Sequence, residues 1–561
     1  MADVLVWTER HKSLEKKVND LFNRGSLLSL WQNIADNFYP ERADFTLSRS
    51  LGEEFADHLS TSYPVLARRE LGDSIGGMLR PSGQDWFAIK VNKDDSLVDN
   101  AGRRFLEAAT KAQKRAMYDR LAQFTKATKQ GDHDYATFGQ CVLSAELNFN
   151  TNTLLYRNWH LRDVVWCENE NGEIDLVARK WKCKAADAIR YFKGRVHPEV
   201  SKLATANNGD RAYELCEFLH IVLRAEAYEY AAGVRAGRVA PYISLWLDCK
   251  NKHVMEEAPR LTSYYIIPRW QTVSGSQYAH SPATIAALPD ARLIQAMTYT
   301  LLRAGEKAVD PPMIAVQEMI RSDLAIYPSG VTWVDADYDE KTGEVLRPIP
   351  SDYRGLPVGL ELQQKQMAMI ADAFYLNKLQ MPSMGNRERV TAEEVKYHVQ
   401  QYIRQALPLF EPVEQEYNAP VCEQTFELLM GVNAFGPIQN IPESLRGSEI
   451  QFKFESPLIE ARDQQLASTF MDSRMLIDAA VALDPGAQYM IDTTVALRDA
   501  LRGAGAPAVW LRDEATYEEL AAKAQEEQEV MKAAAMIGQG GAVAEQVGNA
   551  GAAINNMDAA V

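Results

Sequence analysis

Cysteine is scarce in this chain, with six residues (Cys141, Cys167, Cys183, Cys216, Cys249 and Cys422) among 561. No two stand at CxxC spacing and none has histidines at zinc-finger offsets, so neither a disulfide scaffold nor a structural zinc underlies the fold. The pattern fits free, mostly buried thiols in a reducing cytoplasm. Positive charge is also short. Lys and Arg number 60 against 76 Asp and Glu, a formal net charge of −16. Proteins that grip nucleic acid carry cations in excess to neutralise phosphates. An acidic chain can still surround DNA that must slide. Long apolar runs are missing too: none approaches the ~20 residues of a membrane span. The start, MADVLVWTERHK, lacks the basic and apolar regions of a signal peptide. The expectation is a protein made and kept in the cytoplasm, or in something assembled there.

Catalytic motifs are equally thin. A nucleotide-driven motor needs a glycine loop ending in Gly-Lys-Ser/Thr, whose amides and lysine hold phosphates. Gly305-Glu306-Lys307 has the wrong order and sits in a helical stretch. HExxH and GxSxG are absent. The nine histidines are scattered, and His197 beside Glu199 reads as a solvated pair. Asp335, Asp337 and Asp339 resemble the start of a calcium loop, which also needs Gly at its sixth position and Glu at its twelfth. Glu340 and Leu346 stand there instead. The carboxylates read as a solvated turn with Thr342-Gly343 at its bend. No cofactor or metal is expected.

What is present is a large core, with 46% hydrophobic residues and room for about three to four domains. Leu14, Val18, Leu21 and Phe22, then Leu30, Ile34 and Phe38, predict two helices before Pro40. Tyr63–Met78 predicts another, followed by Arg80-Pro81 and an exposed Trp86-Phe87 turn. Arg103–Lys129 predicts a further single helix. From about Gly139 to Trp270 short β-branched runs predict strands, among them Cys141–Leu143, Leu154–Tyr156, Ile174–Val177, Ile221–Leu223, Ile243–Trp246 and Tyr264–Ile267. Asn171-Gly172 marks a hairpin, and Ala185–Phe192 a helical insert. The fold class is therefore α+β.

The stretch from Leu288 to Phe374 predicts a protruding arm. Asp290 is read as the cap of a helix with Leu293, Met297, Thr300, Leu301 and Ala304 on one stripe. Arg292, Gln295, Tyr299, Arg303 and Lys307 form its polar stripe. Asp310-Pro311-Pro312 ends it. A small β excursion through Trp333 follows, and then a second helix, Gly359–Phe374, with Leu360, Met367, Ile370 and Phe374 on one face. Next comes a loop, Asn377–Val390, carrying Lys378, Arg387 and Arg389. Those cations serve either an ordinary solvated loop or a functional belt, depending on where the loop points. Thr391 and Glu394 stand in capping-box relation at the head of a long helix that Pro408 and Pro412 should kink. A strand at Phe452–Pro457, further helices and a Gly/Ala-rich tail from Gly538 complete the chain.

Several segments, in order, resemble the head-to-tail connector (portal) proteins of short-tailed bacteriophages. Arg387-Glu388-Arg389-Val390-Thr391-Ala392-Glu393-Glu394-Val395 is similar to the family's RxTAxE segment. Ala67–Leu71 through Arg80-Pro81 to Trp86-Phe87 resembles its early helix and WF turn. Pro268-Arg269-Trp270 with Tyr278 and Ser281-Pro282 resembles the entry to its first stem helix. Ser456-Pro457-Leu458 with Ala461 resembles its SPLA element. Where the family usually has Tyr-Gly-Arg-Ser-Pro, Ala279 and His280 follow Tyr278 here. The matches run from about Trp7 to Arg512.

The resemblance implies a ring, commonly of about twelve subunits, set at one capsid vertex of the virion and assembled in the host cytoplasm. Residues 1–287 would form the wing, 288–309 and 353–376 the stem helices, and 310–352 the clip. Residues 377–390 would be the channel loop, 391–482 the long kinked helix and wing return, and 483–561 the crown. Double-stranded DNA would pass without sequence specificity. Lys378, Arg387 and Arg389 would touch it from the loop, and Arg292, Tyr299, Arg303 and Lys307 from the stem. The clip, with Trp333, Asp335, Asp337 and Asp339, would dock the terminase large subunit and later the tail adaptor or gatekeeper. Major capsid and scaffolding proteins are further implied partners, and a membrane is not. Two rivals remain: a virion scaffold or adaptor without a channel, and a nuclease using Asp335, Asp337 and Asp339.

Overall fold

A computed structural model describes residues 7–49, 52–81, 85–92, 98–148, 151–205, 211–228, 234–235, 238–309, 313–315, 346–348, 355–379, 411–447 and 449–454, with residue 83 and helical residues between 471 and 527. In chain order the helices are α1 (Glu9–Phe22), α2 (Gly25–Phe38), α3 (Tyr63–Leu79), α4 (Asn100–Met117), α5 (Phe124–Phe138), α6 (Ala185–Tyr191), α7 (Pro198–Thr205), α8 (Pro282–Val309), α9 (Gly355–Ala373), α10 (Leu376–Leu379) and α11 (Ala419–Gly431). The strands are β1 (Phe87–Val91), β2 (Val142–Asn148), β3 (Thr153–Trp159), β4 (Val164–Glu168), β5 (Ile174–Lys184), β6 (Leu215–Arg224), β7 (Val234–Arg235), β8 (Arg238–Val239), β9 (Tyr242–Asp248), β10 (His253–Arg260), β11 (Tyr265–Ile266), β12 (Met313–Ala315), β13 (Leu346–Pro348) and β14 (Ile450–Phe454). Two compact units result, one of Met1–Trp86, Gln113–Ala434 and Ser456–Leu458, the other of Phe87–Ala112, Phe435–Glu455 and Ile459–Val561.

The first unit is built on an antiparallel sheet of order β10-β9-β6-β5-β4. Strand side chains alternate between faces, and here both faces are covered. Leu219, Ile221 and Leu223 of β6 join Ile243, Leu245 and Leu247 of β9 against Val18, Leu14, Leu21 and Phe22 of α1. The intervening Phe218 and Trp246 face the other way, into a cluster with Ala185, Ala188 and Phe192 from the α6 region. Double burial explains why β6 reads as a near-continuous apolar run. The Asn171-Gly172 turn joins β4 to β5, with Gly172 at φ +77 and Asn169 Oδ1 accepting from the Asn171 and Glu173 amides.

A second sheet, β11-β2-β3, meets the first through a buried polar knot. His220 stacks on Trp246 at 4.0 Å. It bonds the Tyr265 hydroxyl through Nδ1 (2.6 Å) and Ser244 Oγ through Nε2 (2.9 Å). Arg179 Nε donates to the same Tyr265 oxygen at 2.8 Å, with its guanidinium 3.5 Å above the Trp159 ring.

The second unit pairs β1 with β14 from Phe87↔Phe454 to Val91↔Ile450. Phe87, Ile89 and Val91 alternate inward. Asp99 caps α4, accepting from Gly102 N (2.7 Å) and Ser444 Oγ (2.6 Å). The Ser444 bond, then the Gly102 bond, hold its carboxyl below the usual range.

Three expectations are corrected. The single helix over Arg103–Lys129 is two, α4 and α5, because Gln123 adopts a left-handed conformation (φ 56) between them. Trp86 and Phe87 are buried rather than exposed. Trp86 Nε1 donates to the Tyr118 hydroxyl at 3.0 Å and its ring lies parallel to Phe124, while Phe87 opens β1. Asp290 is not a cap: α8 begins two turns earlier, at Pro282. The strand at Phe452–Pro457 is found as β14, and its residues beyond Phe454 lie outside the described ones.

Candidate functional site

The described residues of the predicted arm form a helix, a strand pair and a helix. Ser281-Pro282 starts α8 as an N-cap followed by a proline, whose missing N–H costs nothing there. Ser281 Oγ accepts from Thr284 N (3.4 Å) and donates to Ala136 O (2.7 Å). Thr284 Oγ1 donates to Thr137 O at 2.8 Å. The foot of α8 is thereby tied to the end of α5. Gly139 allows the close approach: it sits at φ +76, and a Cβ there would lie 2.2 Å from the His280 carbonyl carbon.

Ala283, Thr284, Ala287, Ala291 and Ile294 are the buried residues of α8, packed against α2 and α5. The buried seat lies nearer the helix start than the expected stripe, of which Met297, Leu301 and Ala304 are half-buried and Leu293 and Thr300 exposed. Leu293 is 49% exposed while Ile294 is fully buried, because the packing uses alanines, small enough for close helix contact but weak as a hydrophobic signal. Gln295, expected on the polar face, is instead a clamp. Its Oε1 accepts from Ser60 N (2.7 Å) and Thr61 N (2.9 Å), and its Nε2 donates to Thr61 O (2.8 Å).

Beyond Ile294 the helix has no buried residue. It runs antiparallel to α9: Gln366 Nε2 donates to Asp290 Oδ1, Gln363 Nε2 to Thr298 Oγ1 at 2.8 Å, and Gly359 receives Leu301. This also corrects Asp290, whose carboxylate serves the partner helix. At the far end β12 pairs with β13 through Met313↔Pro348, Ile314↔Arg347 and Ala315↔Leu346. At the near end α9 is seated by Ile370 and Phe374, both fully buried, with Phe374 5.3 Å from Phe38.

Arg292, Tyr299, Arg303 and Lys307 all stand exposed on α8. Their spacing places them on one side of the helix, and the Arg303 guanidinium lies 5.0 Å from the Tyr299 ring centre. Lys378 falls in α10, its side chain outside the described residues. Arg387, Arg389, Thr391, Glu394, Trp333, Asp335, Asp337 and Asp339 also lie outside them. After Pro412 the chain forms a π-helical turn, Glu414–Asn418, leading into α11. Among the described residues no three His, Cys, Asp or Glu side chains converge as metal ligands, and no helix is long and apolar enough to cross a membrane.

The probable portal protein of Bordetella phage BPP-1 is 23% identical over 486 residues, covering 81% of this chain and 80% of its own. The portal protein of Salmonella phage epsilon15 is 21% identical over 468 residues, with 81% and 80% covered. A solved chain from the virion of a native gene transfer agent particle matches with 10% identity and a TM-score of 0.31, covering 78% of this chain and 93% of that one. The family described as bacteriophage head to tail connecting protein matches over residues 11–511, from α1 past the last described strand. This chain belongs to that family.

Proposed function

We propose that the chain is a phage portal protein: one subunit of a ring at a capsid vertex, around a channel through which DNA is packaged and ejected. It acts as a structural part of the virion and not as an enzyme. The observation that carries the reading is the α8–α9 hairpin. Large apolar side chains stand exposed on both helices, including Leu293, Leu302, Leu360, Leu362 and Met369, each 49–56% accessible. At 3.6 residues per turn Leu293 and Leu302 stand on opposite sides of α8, so a single copy leaves apolar surface on two sides of the helix to water. Neighbouring copies around a rotation axis would cover it. Family membership and the portal relatives support the same reading.

In such a ring α8 and α9 would be the stem and the β12–β13 segment the clip, where terminase and then the tail adaptor dock. The exposed cations Arg292, Arg303 and Lys307 would offer weak, sequence-blind phosphate contacts against an acidic background. Lys378, Arg387 and Arg389 would form a second basic belt.

Light scattering and negative-stain microscopy of the purified chain test the architecture. A ring with a central hole and a mass about twelve times that of the subunit is the expected result. A protein that stays monomeric even with its capsid and scaffolding partners would overturn it and favour a scaffold without a channel. Reversing the charges of Arg387 and Arg389 should then lower packaging while rings still form.

A further inference from the structure

The β5–β6 pairing sets Cys183 directly opposite Cys216. Two residues further on, in the same register, Ala185 N donates to Glu214 O at 3.0 Å. Hydrogen-bonded pairs alternate along an antiparallel ladder, so Cys183 and Cys216 form such a pair, with Cα atoms ~5.5 Å apart. Disulfides span Cα separations of about 4.4–6.8 Å. Both side chains lie on one face of the sheet, in the cluster with Phe192, Phe218 and Trp246. Cys183 is buried and Cys216 half-buried; Cys167 stands opposite Leu176, and Cys141, Cys249 and Cys422 lie outside the strands.

We propose that Cys183 and Cys216 are a redox modification site, a latent cross-strand disulfide closed by exchange with a small-molecule disulfide and reopened by a dithiol. The more accessible Cys216 thiolate attacks one sulfur of the reagent, forming a mixed disulfide and expelling one thiolate. Cys183 then gives its proton to water and attacks the Cys216 sulfur, expelling the second thiolate. Two protein thiols and one small disulfide become one protein disulfide and two small thiols, with no other oxidant.

Two physical consequences follow. Burial, then the neighbouring Cys216, push the Cys183 thiol up to about 12, so the closing step is slow at neutral pH and quickens as pH rises. Cβ atoms of directly opposed residues are ~4.5–5.5 Å apart, wider than a relaxed disulfide's ~3.8 Å. Closure therefore strains the strands and leaves a bond that is readily reduced. It would clasp the neck of the segment carrying α6 and α7. The site is independent of the proposed portal role.

The test treats the full-length chain with excess oxidised glutathione at mildly alkaline pH, blocks remaining thiols, and maps peptides by mass spectrometry. A Cys183–Cys216 linked peptide, two hydrogens lighter than its parts, is expected, with four thiols still blocked and full reversal by a dithiol. Cys183→Ser should stop at the glutathione adduct on Cys216. A stable wild-type adduct without the link, links between chains only, or untouched thiols would each overturn the proposal. Circular dichroism of the variant against wild type checks that the adduct forms on folded protein.

Discussion

Arg80 and Asp132 form an ion pair with both side chains buried. Arg80 closes α3 and Asp132 lies within α5. The same guanidinium donates through Nη1 to Asn418 Oδ1 at 2.7 Å and lies 4.4 Å from the Tyr417 ring centre. One cation thus joins two helices to the π-helical turn. Breaking a buried pair leaves an uncompensated charge, at a cost of about 3–5 kcal/mol. Asp132→Ala should lower unfolding free energy by that amount in urea titration. Replacing both partners by apolar residues should recover much of the loss; equal losses in the single and double variants would show that the charge is not the cause.

His220 makes the protein acid-sensitive. Complete burial, then the nearby Arg179 and Arg260, hold its imidazole well below the ordinary 6.5. Its hydroxyl neighbours Tyr265 and Ser244 carry no balancing charge. Above 6.5 the ring is neutral in both folded and unfolded chains and contributes no pH dependence. Below it only the unfolded chain takes the proton, so stability falls by up to about 1.4 kcal/mol per pH unit until the folded pKa is reached. His220→Gln, which cannot titrate, should be less stable at neutral pH yet show a shallower decline towards acid. His11 and His133, also lowered by burial first, add to the slope, and the depressed carboxyl of Asp99 adds to it at lower pH. An unchanged slope would exclude His220 as a source.

What could be read before folding was whatever repeats. Val18 with Leu21, and Ile221 with Leu223, announce their elements through spacing alone. The knot of Arg179, His220 and Tyr265 is silent in sequence, because its members lie on three strands and only the register joins them. The burial of Trp86 is hidden for a related reason: its partners Tyr118 and Phe124 follow more than thirty residues later. Alanine misled as well. Ala283, Ala287 and Ala291 carry the seat of α8, while the louder Leu293 points outward. The site residues of the loop and clip rest on resemblance, since no periodicity marks a basic loop as different from any solvated one.

Gly139 should tolerate no side chain. Its φ of +76 is one that L residues rarely adopt, and its missing Cβ leaves room for the His280–Ser281 peptide. Either effect alone costs about 1–3 kcal/mol. Gly139→Ala should therefore lose several kcal/mol of stability or fail to accumulate as soluble protein. Gly172, at the same φ but with open space around it, is the control: Gly172→Ala meets the backbone strain without the clash. Equal thermal shifts for the two variants would mean that the contact with α8 is unimportant.

Gln295 holds α8 to the segment before α3 by satisfying three backbone groups with one amide. Gln295→Leu keeps the side chain's bulk and removes every bond, leaving the amides of Ser60 and Thr61 and one carbonyl without it. Each unsatisfied buried group costs about 1–3 kcal/mol, but this contact is half-buried and water can reach part of it. The expected loss is therefore about 2 kcal/mol in all. The sharper readout is local. Residues near Ser60 and Thr61 should open first, because the helix buries its own seat through Ala287, Ala291 and Ile294 independently. Limited proteolysis of the variant should thus cut near that segment several times faster than wild type, while cleavage within α8 is unchanged. Faster cutting at both places would mean that the clamp holds the helix as well as the segment.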